Sequence, residues 1–316
     1  MIDTKHYLED INEAMLDNSK LYVAQCERRY ENMLRQAVRE IVAKPEKNKI
    51  IMLAGPSSSG KTTTAKLLKG MLQNRDRSAN AYVVSLDDFY KDRDEIPEGP
   101  DGKQDFETVY ALNLDLVADC LKGLSENGRT FLPHFDFETG KRTDNVIDLE
   151  LEPGDVVVVE GLHALNPVIT DSLTGGSLTK MYVSVASDIY FGEESEHAGE
   201  MFLERKEIRF LRRTIRDYRS RNSSVANTYN MWPKVLEGEV KYLDPFKCRS
   251  DYILDSIHPY EICIYKDIAL NLLRELPENN ENFAHAQLLM ERLSAIESMS
   301  KSVVPRTSLL REFIGK

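Results

Sequence analysis

The chain is predicted to fold as an α/β protein, with a parallel sheet sandwiched between layers of helices. Two observations predict it. Five short runs, at 49–54, 81–86, 155–160, 181–185 and 252–255, are apolar on both faces and separated by helical stretches. That is the pattern of parallel strands buried between helix layers. The first run is followed by a Gly/Ser-rich loop and then a helix-forming stretch, 62–73, giving the strand, loop, helix order of an α/β unit.

The elements follow in order. Up to about residue 43, Leu16, Leu21, Val23, Met33, Leu34, Ala37, Val38, Ile41 and Val42 recur at helical spacing until Lys44 and Pro45 break it. Residues 1–48 are therefore expected to be a helical lead-in, and 49–316 the main domain. Two loops, 91–105 and 128–153, are longer than connectors need to be. Loops of that length commonly serve as lids or substrate-binding segments. The second is expected to hold a hairpin pairing the region of Phe131 with residues 142–147.

Composition excludes several classes. With 41 Lys+Arg against 52 Asp+Glu among 316 residues, the net charge is -11. Such a surface repels nucleic-acid phosphates, so no nucleic-acid partner is expected. No run approaches the 18 apolar residues that argue for a membrane span, and the first 15 residues are unlike a secretory or transit signal. The four cysteines have no C-x-x-C spacing and the six histidines no metal-ligand spacing. The expectation is a reduced, cytoplasmic protein without structural zinc; self-association is left open.

The strongest chemical signal is the loop itself. Gly55, Pro56, Ser57, Ser58, Ser59, Gly60, Lys61 and Thr62 match G-x-x-x-x-G-K-[ST] in full. Its glycines let backbone N–H groups curl around phosphate oxygens at a helix N-terminus. Lys61 then reaches the β- and γ-phosphates, and Thr62 offers a hydroxyl to Mg²⁺. Transfer to a hydroxyl also needs a proton acceptor. Asp87 and Glu160 close the second and third strands, and in an open parallel sheet the ligand crevice lies outside the carboxyl ends. Either acid alone could merely cap a helix; beside this loop both point to the site. Further on, Arg209, Arg212, Arg213 and Arg216 share one helix face. That face could either pair with Glu204, Glu207 and Asp217 or neutralise a transferring phosphoryl group.

Six motifs in order, GPSSSGKTT, LDDFY, DFETVYALN, PHFDFETGKR, VVVVEGLHAL and RRTIRDYRSRN, resemble the landmarks of the uridine kinase and phosphoribulokinase family. The likeness is greatest to the kinase half of uridine kinase-like proteins with a synthetase-like N-terminal region. It extends through NMWPKVLEGEVKYLDPFKCRSDYILDS and SLLREFIG, so that it covers about residues 50–316.

The resemblance implies a P-loop NTPase three-layer fold with a helical lid and a substrate-binding β-hairpin, using ATP and Mg²⁺ on a small-molecule substrate. Asp87 would be the general base, and Lys61, Arg213 and Arg216 would serve the transferring phosphoryl group. Gly55, Ser57, Ser58, Ser59, Gly60, Lys61, Thr62, Thr63 and Arg221 would hold the nucleotide, and Thr62 and Glu160 the metal. Tyr90, Phe106, Glu107, Phe135, Phe137 and Arg142 would line the acceptor site. In uridine-cytidine kinases a Tyr stands at the place of Phe135 and a His at that of Gly140, and both read the pyrimidine. A lid Arg and a Gln are likewise replaced by Ser223 and Met231, and the usual Asp by Glu107.

The expected activity is transfer of the ATP γ-phosphoryl group to a primary hydroxyl, that of uridine or a related nucleoside. The alternatives are a sugar phosphate such as ribulose 5-phosphate, a pantothenate-like alcohol, or a non-catalytic nucleotide-binding regulatory module. Asp87 together with Glu160 argues against the last, since a nucleotide sensor needs no hydroxyl base.

Overall fold

Residues 5–43, 50–75, 79–99, 102–171, 173 and 178–315 are described by a computed structural model of the chain. A short strand, β1 (His6–Tyr7), leads into α1 (Leu8–Val42), then β2 (Ile50–Ala54), α2 (Lys61–Arg75) and β3 (Ala81–Ser85). Next come α3 (Leu114–Lys122), the hairpin strands β4 (Arg129–Asp136) and β5 (Lys141–Glu150), β6 (Val156–Glu160), α4 (Pro167–Thr170) and β7 (Leu178–Ser184). After β8 (Ile189–Tyr190) and β9 (Met201–Leu203) follow α5 (Arg205–Arg221), α6 (Val225–Tyr242), β10 (Tyr252–Asp255), α7 (Glu261–Leu273), α8 (Phe283–Ser294) and α9 (Arg311–Ile314).

The five expected strands form one sheet in the order β10-β7-β2-β6-β3, with every pairing parallel. All five residues of β2 are buried because helices cover both faces. Ile51 and Leu53 join the core shared with α1, α2, α5 and α7, while Ile50, Met52 and Ala54 join the core under α3 and the hairpin. Fully burying each of these Ile, Leu and Met side chains contributes about 1.5–3 kcal/mol. The strand order places the carboxyl end of β6 between those of β2 and β3. Glu160 consequently stands next to both the Gly/Ser loop and Ser85.

Local chemistry explains where elements shift from expectation. β3 stops at Ser85 because the Ser85 hydroxyl accepts from Asp87 N–H at 3.3 Å and opens a 3₁₀ turn, Leu86–Phe89. β7 begins three residues before the expected 181, pairing Leu178 with Ile50. The hairpin is longer than the expected Phe131 and 142–147 region, running Arg129 to Glu150 with a bulge between Leu132 and His134. Pro133, which has no N–H to give, sits in that bulge.

The N-terminal periodicity resolves into a helix kinked at Asn18, whose φ of -150° and ψ of 80° are non-helical. Its side chain accepts from Leu21 N–H at 3.0 Å. The kink shifts the phase of the apolar stripe, so Leu16 and Leu21 are 67% and 55% exposed, contrary to their expected core-facing role. The rest of α1 packs into the sheet's own core. Tyr30 Oη lies 2.6 Å from Thr64 Oγ1 of α2, and Arg29 donates to Ile257 O. The expected break at Lys44-Pro45 and the first expected strand residue, Lys49, lie outside the described residues. Among the described residues no helix is long and apolar enough to cross a membrane.

Candidate active site

The loop after β2 has the conformation its sequence requires. A Cβ on Gly55 would stand 2.1 Å from Val183 O, so only glycine lets the chain turn over β7. Ser58 (φ 58°) and Gly60 (φ 87°) adopt left-handed geometry, which curls the backbone into a concave, anion-binding turn ahead of α2. The buried hydroxyls of Ser58 and Ser59 have no hydrogen-bond partner. Lys61 Nζ folds back to Pro56 O at 3.1 Å. A cradle of donors with unspent hydroxyls fits a phosphate chain.

Glu160 ends β6 as expected, whereas Asp87 lies two residues past the end of β3, in the 3₁₀ turn that follows it. Glu160, 4% exposed, accepts from the Thr62 hydroxyl at 3.2 Å and the Ser85 hydroxyl at 3.1 Å. Burial first, then the charge of Asp87, pushes its carboxyl up to about 7, with Lys61 pulling the other way. Asp87 is exposed to the cleft it lines, whose walls crowd and desolvate its carboxyl. That desolvation raises it above the usual carboxylate range, against the pull of Lys61, Arg221 and Arg216. An oxygen pair such as Thr62 and Glu160 suits Mg²⁺, which keeps several waters and takes few protein ligands. Among the described residues no group of three or more His, Cys, Asp or Glu forms a metal cage.

α5 carries the basic face, and the structure divides its arginines into two sets. Arg212 is fully buried, bound to Glu261 at 2.6 and 2.8 Å and to Ser58 O at 3.3 Å. Arg209 donates to Ser57 O at 2.9 Å and pairs with buried Glu239, which in turn accepts from Ser57 N–H. These two clamp the loop from behind and do not present a free cation to it. Arg213, Arg216 and Arg221 converge on one buried carboxylate, Asp217, at 3.3, 2.8 and 3.6 Å. Three guanidiniums against one acid leave positive charge facing the cleft. Arg213 also donates to the Ser57 hydroxyl at 2.7 Å. Arg209 and Arg212 are thus taken up by pairing, while Arg213, Arg216 and Arg221 line the cleft.

These groups line one cleft of about 670 Å³, with Ser57, Ser58, Gly60, Lys61, Thr62, Asp87, Glu160, Arg213, Arg216 and Arg221 on one side. Tyr90, Phe106, Glu107, Phe135 and Phe137 line the other side. Tyr90, Phe135 and Phe137 form an aromatic wall with ring centroids 5.0–6.4 Å apart. Tyr90 Oη donates to Phe106 O at 2.9 Å. Burial first, opposed by Arg213, raises the Glu107 carboxyl to about 7. Arg142 is turned away from the cleft, onto Tyr90 O at 3.1 Å and Asp144 at 2.7 Å. Gly55 and Ser59 shape the loop from beneath and do not line the cleft, and Thr63 is held by Glu312. His163, buried with both ring nitrogens unpartnered, stands behind the site and is driven neutral by burial, its pKa falling to about 4.

A family model described as Phosphoribulokinase / Uridine kinase family matches residues 50–191. The uridine kinases of Clostridium botulinum (strain 657 / Type Ba4) and Staphylococcus aureus (strain JH9) are each 27% identical over 207 residues, 65% of this chain and 86% of theirs. The chain is an ATP-dependent kinase that is similar to this family over these residues. Among solved structures, a "Possible Uridine Kinase" from Bacillus stearothermophilus is 17% identical and superposes over 71% of this chain and 98% of its own, with a TM-score of 0.47.

The residues that sequence reading missed are the anionic partners of the site: Glu239, Glu261 and Glu312 bind loop or arginine groups from 49 to 249 positions away in sequence. Only Asp217, four residues from Arg213, could be found from helical spacing.

Proposed function

We propose that the kinase transfers the γ-phosphoryl group of ATP to a primary hydroxyl of a small alcohol, most readily the 5′-hydroxyl of uridine or a related nucleoside. One observation carries the reading: Asp87 and Glu160, from neighbouring strand ends, border one cleft between a phosphate side and an aromatic, carboxylate-bearing side. Residues 49–316 would be the catalytic unit and 1–48 a lead-in, whose described helix α1 packs into the same core.

The roles follow from the geometry. Lys61 leaves Pro56 O for the phosphates, and Arg213, Arg216 and Arg221 spread positive charge over them. Mg²⁺, held through Thr62 and Glu160, would neutralise charge on phosphate oxygens. Asp87, whose raised pKa makes it a better proton acceptor near neutrality, takes the acceptor hydroxyl's proton. Glu107 and Tyr90 orient hydroxyls, and the Phe135 and Phe137 rings flank a flat group.

A second acceptor reading is favoured at the hairpin turn. Gly140 has φ 69°, and a Cβ there would stand 2.8 Å from Arg93 Nε, so no pyrimidine-reading side chain fits without moving Arg93. This supports an acceptor other than a pyrimidine nucleoside, a sugar phosphate or a pantothenate-like alcohol. ADP release with Mg-ATP across uridine, cytidine, ribulose 5-phosphate and pantothenate decides between them. Stimulation by a nucleoside supports the first reading, and stimulation by ribulose 5-phosphate or pantothenate alone supports the second. ATP binding with no acceptor-dependent turnover would reduce the chain to a regulatory module.

A further inference from the structure

The C-terminal segment is built into the nucleotide cradle. Leu309 fills the space over Gly60, where a Cβ would lie 2.5 Å from Leu309 Cδ1. Leu310, Phe313 and Ile314 are buried, the Arg212 guanidinium lies 5.1 Å from the Phe313 ring, and Arg219 Nε donates to Phe313 O at 3.0 Å. Arg311 ties the turn to Pro305 O and Gly315 O, each at 3.1 Å. The backbone that carries Glu312 is thereby fixed, and only its side chain is free to swing.

That side chain ends on phosphate-type donors. Glu312 Oε2 accepts from the Thr63 hydroxyl at 2.6 Å and from Thr63 N–H at 3.3 Å, in the first turn of α2, and Glu312 lines the cleft. Backbone N–H groups at a helix N-terminus with a dipole behind them attract one anion well and cannot serve two. The Glu312 carboxylate and a nucleotide phosphate need the same donors and repel each other. Arg221 lies close enough to feel the Glu312 charge and offers a cation toward which it can turn.

We propose that Glu312 is an intramolecular competitor for nucleotide phosphate, a carboxylate that holds the Thr63 donors and must swing away when nucleotide enters. This rests on the cleft being a nucleotide site, but not on which alcohol is phosphorylated. It makes nucleotide affinity weaker than the loop alone would give.

Titration calorimetry of wild type and Glu312→Gln with ADP, and separately with adenosine, tests it. The amide keeps the shape but gives up the anion, and replacing one charge-assisted hydrogen bond should tighten ADP binding by about tenfold. Adenosine, lacking phosphate, should bind both proteins alike. Unchanged or weaker ADP binding by Glu312→Gln overturns the proposal, the weaker case assigning Glu312 to the nucleotide itself. Equal tightening of adenosine overturns it too, as does failure of both proteins to bind ADP. A wild type that binds ADP but phosphorylates no alcohol would sink the transferase reading and leave this one standing.

Discussion

The two sides of the cleft are built differently. On the side proposed to bind phosphate, two buried ion pairs support the backbone of the Gly/Ser loop: Arg212 with Glu261, and Arg209 with Glu239. On the side proposed to take the acceptor, charges sit at the surface of a hairpin, such as Arg129 with Asp148 at 2.6 Å and Lys141 with Asp92 at 3.0 Å, and apolar rings line the cavity. Phe106 and Phe137 are 41% and 61% exposed. The difference teaches where freedom lies. A side fixed by buried ion pairs tolerates little change, whereas a hairpin bearing exposed groups can alter its side chains, and so its acceptor, without unfolding the kinase.

The largest expected effect lies on the phosphate side. Asp87→Asn should cut phosphoryl transfer by about 10³-fold, the usual range for losing a general base, while ADP affinity measured by calorimetry stays unchanged. Transfer at the wild-type rate would remove Asp87 from the mechanism. Next in size is the contrast in stability. Arg212→Met leaves Glu261 buried and unpaired and should cost about 3–5 kcal/mol in urea unfolding, whereas Arg129→Ala on the hairpin should cost less than about 1 kcal/mol. Comparable losses would erase the distinction between the two sides.

Smaller effects sharpen the acceptor side. Glu107 keeps its proton up to about pH 7 in the folded protein, against 4.5 in the unfolded chain. Between those values folding takes up a proton, so this residue's contribution to stability falls as pH rises from 4.5 to 7 and then levels. Its ionised form is the better acceptor for substrate hydroxyls, so the acceptor KM should fall as pH climbs through 7, and Glu107→Gln should flatten that profile. The smallest change expected is from Phe135→Tyr. Restoring one hydroxyl to the aromatic wall should raise kcat/KM for uridine by about threefold to tenfold, the worth of a single neutral hydrogen bond. No gain would place the pyrimidine, if it binds, away from residue 135.

Much of this was legible in the sequence because it is local. The loop motif fixes its own turn, since Gly55 and Gly60 occupy the close approach and the left-handed position that demand glycine. The five doubly apolar runs became the five strands, with boundaries moved by a serine turn at Ser85 and a proline bulge at Pro133. Less was legible in α1, where one asparagine at position 18 shifted the phase of a stripe that looked continuous. The two-residue β1 and β8 and the three-residue β9 are too short for any periodicity to reveal.

The sequence by itself determined the parts proposed to handle phosphate: a cradle, a lysine, a hydroxyl and two acids at or just past strand ends, each encoded by residue type. Only the tertiary structure decided which charges are spent. Arg209, Arg212, Arg213 and Arg216 look alike on one helix face, yet two of them became buried clamps and two face the cleft, because Glu239 and Glu261 approach from helices much later in the chain. The same holds for Glu312, which the sequence shows only as an acid near the end. Its meaning comes from being packed 2.6 Å from a hydroxyl at position 63, and such long-range electrostatic pairing leaves no periodic trace in the chain.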